Sequence, residues 1–195
     1  ARGTSRPTDA SSSRSTDRLL GAVGGARARL GLGPPATRAE VAAWDRDVDP
    51  SGHGLPPGSG GYDAGARVYA ARCAACHGAR GEGQGAFPKL VQAPGTAGFA
   101  GDSFPFARDH KLPKTVGTYW PYATTLYDYV RHAMPYDRPG SLTPDETYAV
   151  VAWLLAENGA VPRTAVMDAR SLPRVELAAR RHFVPDDRRG GPELR

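Results

Sequence analysis

Regular spacing of apolar residues begins at position 37 and is concentrated in the middle of the chain. The string TRAEVAAW sets Thr37 three residues ahead of Glu40, a reciprocal capping pair, and predicts a short helix ending near Trp44. The next stretch, DVDPSGHGLPPGSGG, is too rich in Pro and Gly to continue a helix and reads as an extended linker. In DAGARVYAARCAACH, Asp63 can cap a helix on which Gly65, Tyr69 and Cys73 recur every fourth residue along one face. TTLYDYVRHAMP aligns Leu126, Val130 and Ala133 on one stripe before Pro135 stops the helix. SLTPDETYAVVAWLLAENG carries the clearest helical signal. Thr143 is its N-cap, Pro144 its first residue and Glu146 the capping-box partner. Val150, Trp153 and Leu154 mark its buried face, and Asn158-Gly159 its end.

Outside these segments the pattern fades. Residues 1–36 are rich in Ser, Gly, Arg and Pro and cannot bury enough apolar area to fold alone. Residues 91–118 are mostly irregular, and residues 160–195 carry isolated apolar positions without a period. The expected fold is therefore all-α: a helical domain over 61–160, an N-terminal arm and linker with one short helix over 1–60, and a C-terminal arm over 161–195, both arms long and extended. No internal repeat is visible.

Composition narrows the class. With 195 residues and 40% hydrophobic content the chain suits a single core with extensions. No run approaches the roughly 18 consecutive apolar residues of a membrane span. The net charge of +5 comes from the ends, because residues 61–160 hold nine basic and nine acidic side chains. The arginines of the arms are scattered among acids, and the aromatic residues concentrate in the neutral middle, which argues against nucleic acid as a partner.

Cys73 and Cys76 are the two cysteines of the chain, and His77 follows directly. A zinc site needs about four ligands, and no second cluster lies at suitable spacing. A thioredoxin-like dithiol belongs to a βαβ pattern that does not occur here. Covalent haem attachment is the reading that Cys-x-x-Cys-His supports. One helical turn sets both sulfurs to form thioethers with the porphyrin vinyl groups, and the adjacent imidazole can turn onto the iron. One haem c is expected. The other ring nitrogen of such a histidine normally donates to a carbonyl or carboxylate, and the Pro88 carbonyl in AFPKL is the candidate, with Leu90 packing on the ring.

The sixth iron ligand decides the chemistry. Met134 and Met167 are the methionines, and His53, His110, His132 and His182 the remaining imidazoles. Met134 ends an amphipathic helix, precedes Pro135 and is the expected ligand, with His132 the alternative. With His77 and Met134 on the iron no position remains for a substrate, and the thioether raises the potential, as an electron carrier requires. Tyr119, Trp120 and Tyr122 form an aromatic wall, with Trp120 a candidate for a haem propionate.

Residues 62–159 resemble class I cytochrome c through Gly65, Tyr69, the Cys73–His77 motif, Met134-Pro135, and Val150 with Trp153 in the last helix. In that family the glycine at position 65 lets the first and last helices cross closely. TVGTYWPYATTLYDYVRHAMP and DVDPSGHGLPPGSG further resemble the cytochrome subunits of Sox-type sulfane dehydrogenases and related periplasmic sulfite dehydrogenases. The resemblance implies electron transfer rather than catalysis, a molybdenum-containing catalytic subunit as donor, a downstream cytochrome or oxidase as acceptor, and a periplasmic location. Sox-type subunits are usually dihaem, whereas this sequence has one Cys-x-x-Cys-His. The competing expectations are a free diffusible cytochrome of another respiratory chain and, with an open sixth position, a haem enzyme or sensor.

Overall fold

The computed structural model describes residues 34–92 and 104–184. The expectations placed on residues 1–33, 93–103 and 185–195 lie outside the described residues. The chain divides into two units, residues 1–46 and 47–195. The described part of the first unit holds α1 (Arg38–Trp44). Its N-terminus is tied as its sequence demands: Thr37 Oγ1 accepts from the Glu40 N–H at 3.2 Å, and Glu40 Oε2 accepts from the Thr37 N–H at 2.7 Å. No residue of α1 is buried.

The second unit is built around one helix. Its described elements run β1 (Ser59–Gly61), α2 (Tyr62–Arg72), α3 (Ala74–His77), a 3-10 turn (Pro105–Ala107), α4 (Ala123–Ala133), α5 (Pro144–Glu157), β2 (Val166–Asp168) and 3-10 turns at Leu172–Arg174 and Ala178–His182. α5 starts with the same capping box, Thr143 Oγ1 accepting from the Glu146 N–H, and Pro144 occupies its first turn. The Thr143 N–H and hydroxyl both donate to Glu146 Oε2 and hold that carboxyl below the usual carboxylate range. Every residue from Thr147 to Leu155 is buried. A one-faced stripe was expected; a helix buried all round has neighbours on every side.

Those neighbours are identifiable. α2 crosses α5 at Gly65, where Ala149 and Trp153 occupy the space of a side chain, and Tyr69 stacks on Trp153 with ring centroids 3.9 Å apart. α4 packs on another side, with Tyr127 against Tyr148 at 4.4 Å. The α2 N-cap is Gly61 rather than the expected Asp63, which sits in the first turn. Pro135 ends α4 as expected, and Met134 is its C-cap.

The segments read as linker and C-terminal arm run largely without regular structure, but they are bound to this core. The Tyr148 hydroxyl donates to Pro56 O, the Thr124 hydroxyl to Pro50 O, and Asp128 Oδ1 accepts from the Val48 N–H at 2.9 Å. His132 Nδ1 lies 3.1 Å from the same Asp128 oxygen. β1 and β2 pair antiparallel with Gly60 opposite Met167, a small two-stranded addition to the all-α fold. Met167, Leu172 and Leu177 are buried in the main cluster. Sparse apolar residues without a period describe an irregular strap whose anchors are spaced by tertiary contacts, and no helical or strand repeat would reveal them.

Candidate haem site

α2 and the cysteine turn are separate helices. The chain breaks at Cys73, whose carbonyl accepts from both the Cys76 N–H (3.2 Å) and the His77 N–H (2.9 Å), and α3 is the single turn that follows. Gly78 then leaves the helix at φ +81°, a conformation that favours glycine, and its carbonyl accepts from the Tyr69 hydroxyl at 2.9 Å. The loop after it folds back on itself. Gly83 N–H donates to His77 O, and the N–H groups of Leu90 and Val91 both donate to Gly81 O. This return brings the Pro88 carbonyl to 2.9 Å from His77 Nδ1, with the Phe87 ring edge-on to the imidazole at 6.2 Å.

The donor set fits a covalently held haem. Both thiols are free and half-buried, and no disulfide joins them. Burial, followed by the neighbouring Cys76, pushes the Cys73 thiol up to about 11. A redox dithiol needs the opposite shift, towards thiolate at neutral pH. His77 is buried, and the contact of Nδ1 with Pro88 leaves Nε2 as the ring's remaining ligand atom.

The methionines occupy different surroundings. Met167 is 3% exposed on β2, inside the apolar cluster. Met134 is only half-buried at the end of α4 and packs on the rim of that cluster. Among the histidines, His132 is paired with Asp128, and His182 stacks on Phe104 at 4.9 Å between ring centroids. Leu90 packs against the core from the loop that carries Pro88. The Trp120 indole N–H donates to Thr125 Oγ1 at 3.1 Å, so a propionate contact would have to displace that hydroxyl. Tyr119 belongs to an aromatic cluster with Phe104, Phe106 and Phe183, and Tyr122 lies under the Arg180 guanidinium.

Asn158 is the residue that sequence reasoning missed. Read as a helix terminator, it is also a buried hub. Its Oδ1 accepts from the N–H groups of Gln92 (2.8 Å) and Gly117 (2.9 Å), and its Nδ2 donates to Leu154 O (2.8 Å) and Leu90 O (3.2 Å). The end of α5 thereby holds the irregular segment 90–92, two residues beyond the carbonyl that orients His77. Asn158→Ala is expected to cost about 2 kcal/mol by leaving buried backbone groups unpaired. Chemical denaturation of the haem-loaded protein measures it, and a loss under about 0.5 kcal/mol would show the hub to be dispensable.

The comparisons follow this geometry. A family model described as Cytochrome c matches residues 62–157. Among solved structures, a chain of the crystal structure of the sulfane dehydrogenase SoxCD from Paracoccus pantotrophus is 40% identical, with a TM-score of 0.67, over 81% of this chain and 73% of that one. No curated protein matches the sequence significantly. The described helices are neither long nor apolar enough to cross a membrane. The Cys-x-x-Cys-His turn, its return loop, the crossing at Gly65 and these two matches place the chain in the class I cytochrome c family, among members resembling the cytochrome of sulfane dehydrogenase.

Proposed function

We propose that this chain is the electron-accepting subunit of a molybdenum-dependent sulfite or sulfane dehydrogenase in the periplasm, and that it passes electrons to a downstream cytochrome or oxidase. One observation carries the reading. Residues 62–195 amount to about 69% of the chain, so a match covering 81% must begin well upstream of residue 62. The likeness to sulfane dehydrogenase therefore includes parts that a generic cytochrome domain lacks.

Bound haem c supplies a one-electron ferric/ferrous couple. The chain supplies the conditions for its use. Cys73 and Cys76 would hold the group covalently, and His77, oriented by the Pro88 carbonyl, and Met134 would supply the protein's ligand atoms to its iron. A thioether ligand and apolar surroundings would both favour the reduced state, which suits an acceptor of electrons from the catalytic subunit of a dehydrogenase. With His77 and Met134 both committed to the haem, the site would bind no substrate of its own.

The test is co-purification followed by reduction. A molybdenum-containing subunit is expected to accompany the chain, and adding sulfite or a sulfane-sulfur substrate to the complex should reduce the haem. A haem that stays oxidised with an active catalytic subunit present excludes the proposal.

A further inference from the structure

Among the described residues of its unit, helix α1 is the one helix, and none of its side chains is buried. A seven-residue helix lies well below the roughly 12–15 residues at which isolated helices become marginal in water, and α1 buries nothing. Yet its start is fully specified by the Thr37–Glu40 box, and it presents Val41 and Trp44 one turn apart, 51% and 82% exposed. Pro34, Pro35 and Ala36 line the same open concavity as these two side chains, which makes the patch continuous. Glu40 and Asp45 line the same concavity, so the apolar patch carries two carboxylates at its edge.

The extent of the match with sulfane dehydrogenase bears on this face. To reach 81% of the chain the alignment must take in about 24 residues before residue 62, the length of the stretch 38–61. α1 therefore falls within the span shared with a sulfane dehydrogenase chain, although it lies outside the residues matched by the cytochrome family model. A segment carried along with the haem domain, with a preset start and an exposed indole, has the character of a docking anchor.

Resting on the function proposed above, we infer that α1 docks the cytochrome onto the catalytic subunit, with Trp44 inserted in an apolar groove of that subunit and Val41 packed beside it. Binding completes the helix, because burial of these two side chains supplies the stabilisation that its length cannot. This anchor uses residues other than those that would hold the haem. Loss of the anchor lowers occupancy without altering the haem.

The experiment uses the full haem-loaded chain and the catalytic subunit separated from it. Wild type, Trp44→Ala, Trp44→Phe and Val41→Ser are compared for affinity by sedimentation or biolayer interferometry, and for haem reduction by substrate at limiting and saturating catalytic subunit. Trp44→Ala is expected to weaken binding about 30-fold or more and to slow reduction at limiting partner. It should leave the haem spectrum, the potential and the rate at saturating partner unchanged, with Trp44→Phe partly restoring affinity. Equal affinities of wild type and Trp44→Ala overturn the inference while leaving the proposed function intact. A wild-type chain that neither binds nor accepts electrons overturns both. Self-association of the cytochrome that Trp44→Ala abolishes, with partner binding unaffected, assigns the face to a second copy and equally overturns it.

Discussion

Gly65→Ala is expected to destabilise the haem-loaded protein by about 3 kcal/mol or more, although alanine is the better helix former by nearly 1 kcal/mol. A Cβ at position 65 would lie inside the contact radius of Ala149 O, 2.7 Å from the Ala149 carbonyl carbon and 2.8 Å from Trp153 Cβ. Two of these are backbone atoms of the buried central helix, so relief requires the helices to move apart. Separation would disturb the Tyr69–Trp153 stack, and through the Tyr69 hydroxyl the Gly78 carbonyl directly after His77. Gly61→Ala is the matched control. A Cβ there meets its nearest atoms at 3.8 Å, an ordinary contact, and the change should be nearly neutral. Denaturant unfolding followed by circular dichroism and by haem absorption gives both values. Similar stability for the two variants would show that the crossing at Gly65 can open at little cost.

Met134→Ala should have the largest effect on function. Loss of the thioether is expected to abolish the long-wavelength absorption band of methionine–iron ligation in the oxidised protein. It should also lower the reduction potential by ~0.2 V, within the roughly 0.8 V over which axial ligands tune haem. The vacated position would then bind exogenous imidazole or cyanide. Met167→Leu is the control, a volume-conserving change at a side chain enclosed in the core, with an expected cost under about 1.5 kcal/mol and no spectral change. Survival of the band in Met134→Ala would remove Met134 from the iron. Survival there with loss in Met167→Leu would instead assign the ligand to Met167, the other methionine of the chain.

These two residues were visible in the sequence for different reasons. Gly65, Tyr69 and Cys73 stand at a four-residue interval, and only the family resemblance gave the glycine its task of close approach. The two capping boxes were legible in full, because Thr-x-x-Glu is a local arrangement whose partners lie three residues apart. The site turn was legible for the same reason. Cys73, Cys76 and His77 are held by hydrogen bonds that span three and four residues.

The remainder was hidden by distance along the chain. Asn158 binds groups 41, 66 and 68 residues away, and a helix-ending Asn looks the same whether its amide faces water or a buried loop. Asp128 captures the Val48 N–H across 80 residues, and Tyr148 reaches Pro56 across 92. Such bonds fasten the 47–61 segment to α4 and α5, and no periodicity announces them. The C-terminal strap is similar: Met167, Leu172 and Leu177 are unremarkable singly and become core residues through β1 pairing and burial.

The sequence by itself determined the cofactor chemistry, the capped starts of α1 and α5, the proline stop of α4 and the α-helical class, since each depends mainly on residues within about one turn of one another. Only the tertiary structure decided that α5 is enclosed on all sides, that linker and C-terminal segment belong to the core, that Met167 is a packing residue, and that Asn158 secures the loop orienting His77. Those outcomes rest on contacts between segments far apart in sequence, where burial and hydrogen-bond satisfaction of the whole domain select the partners.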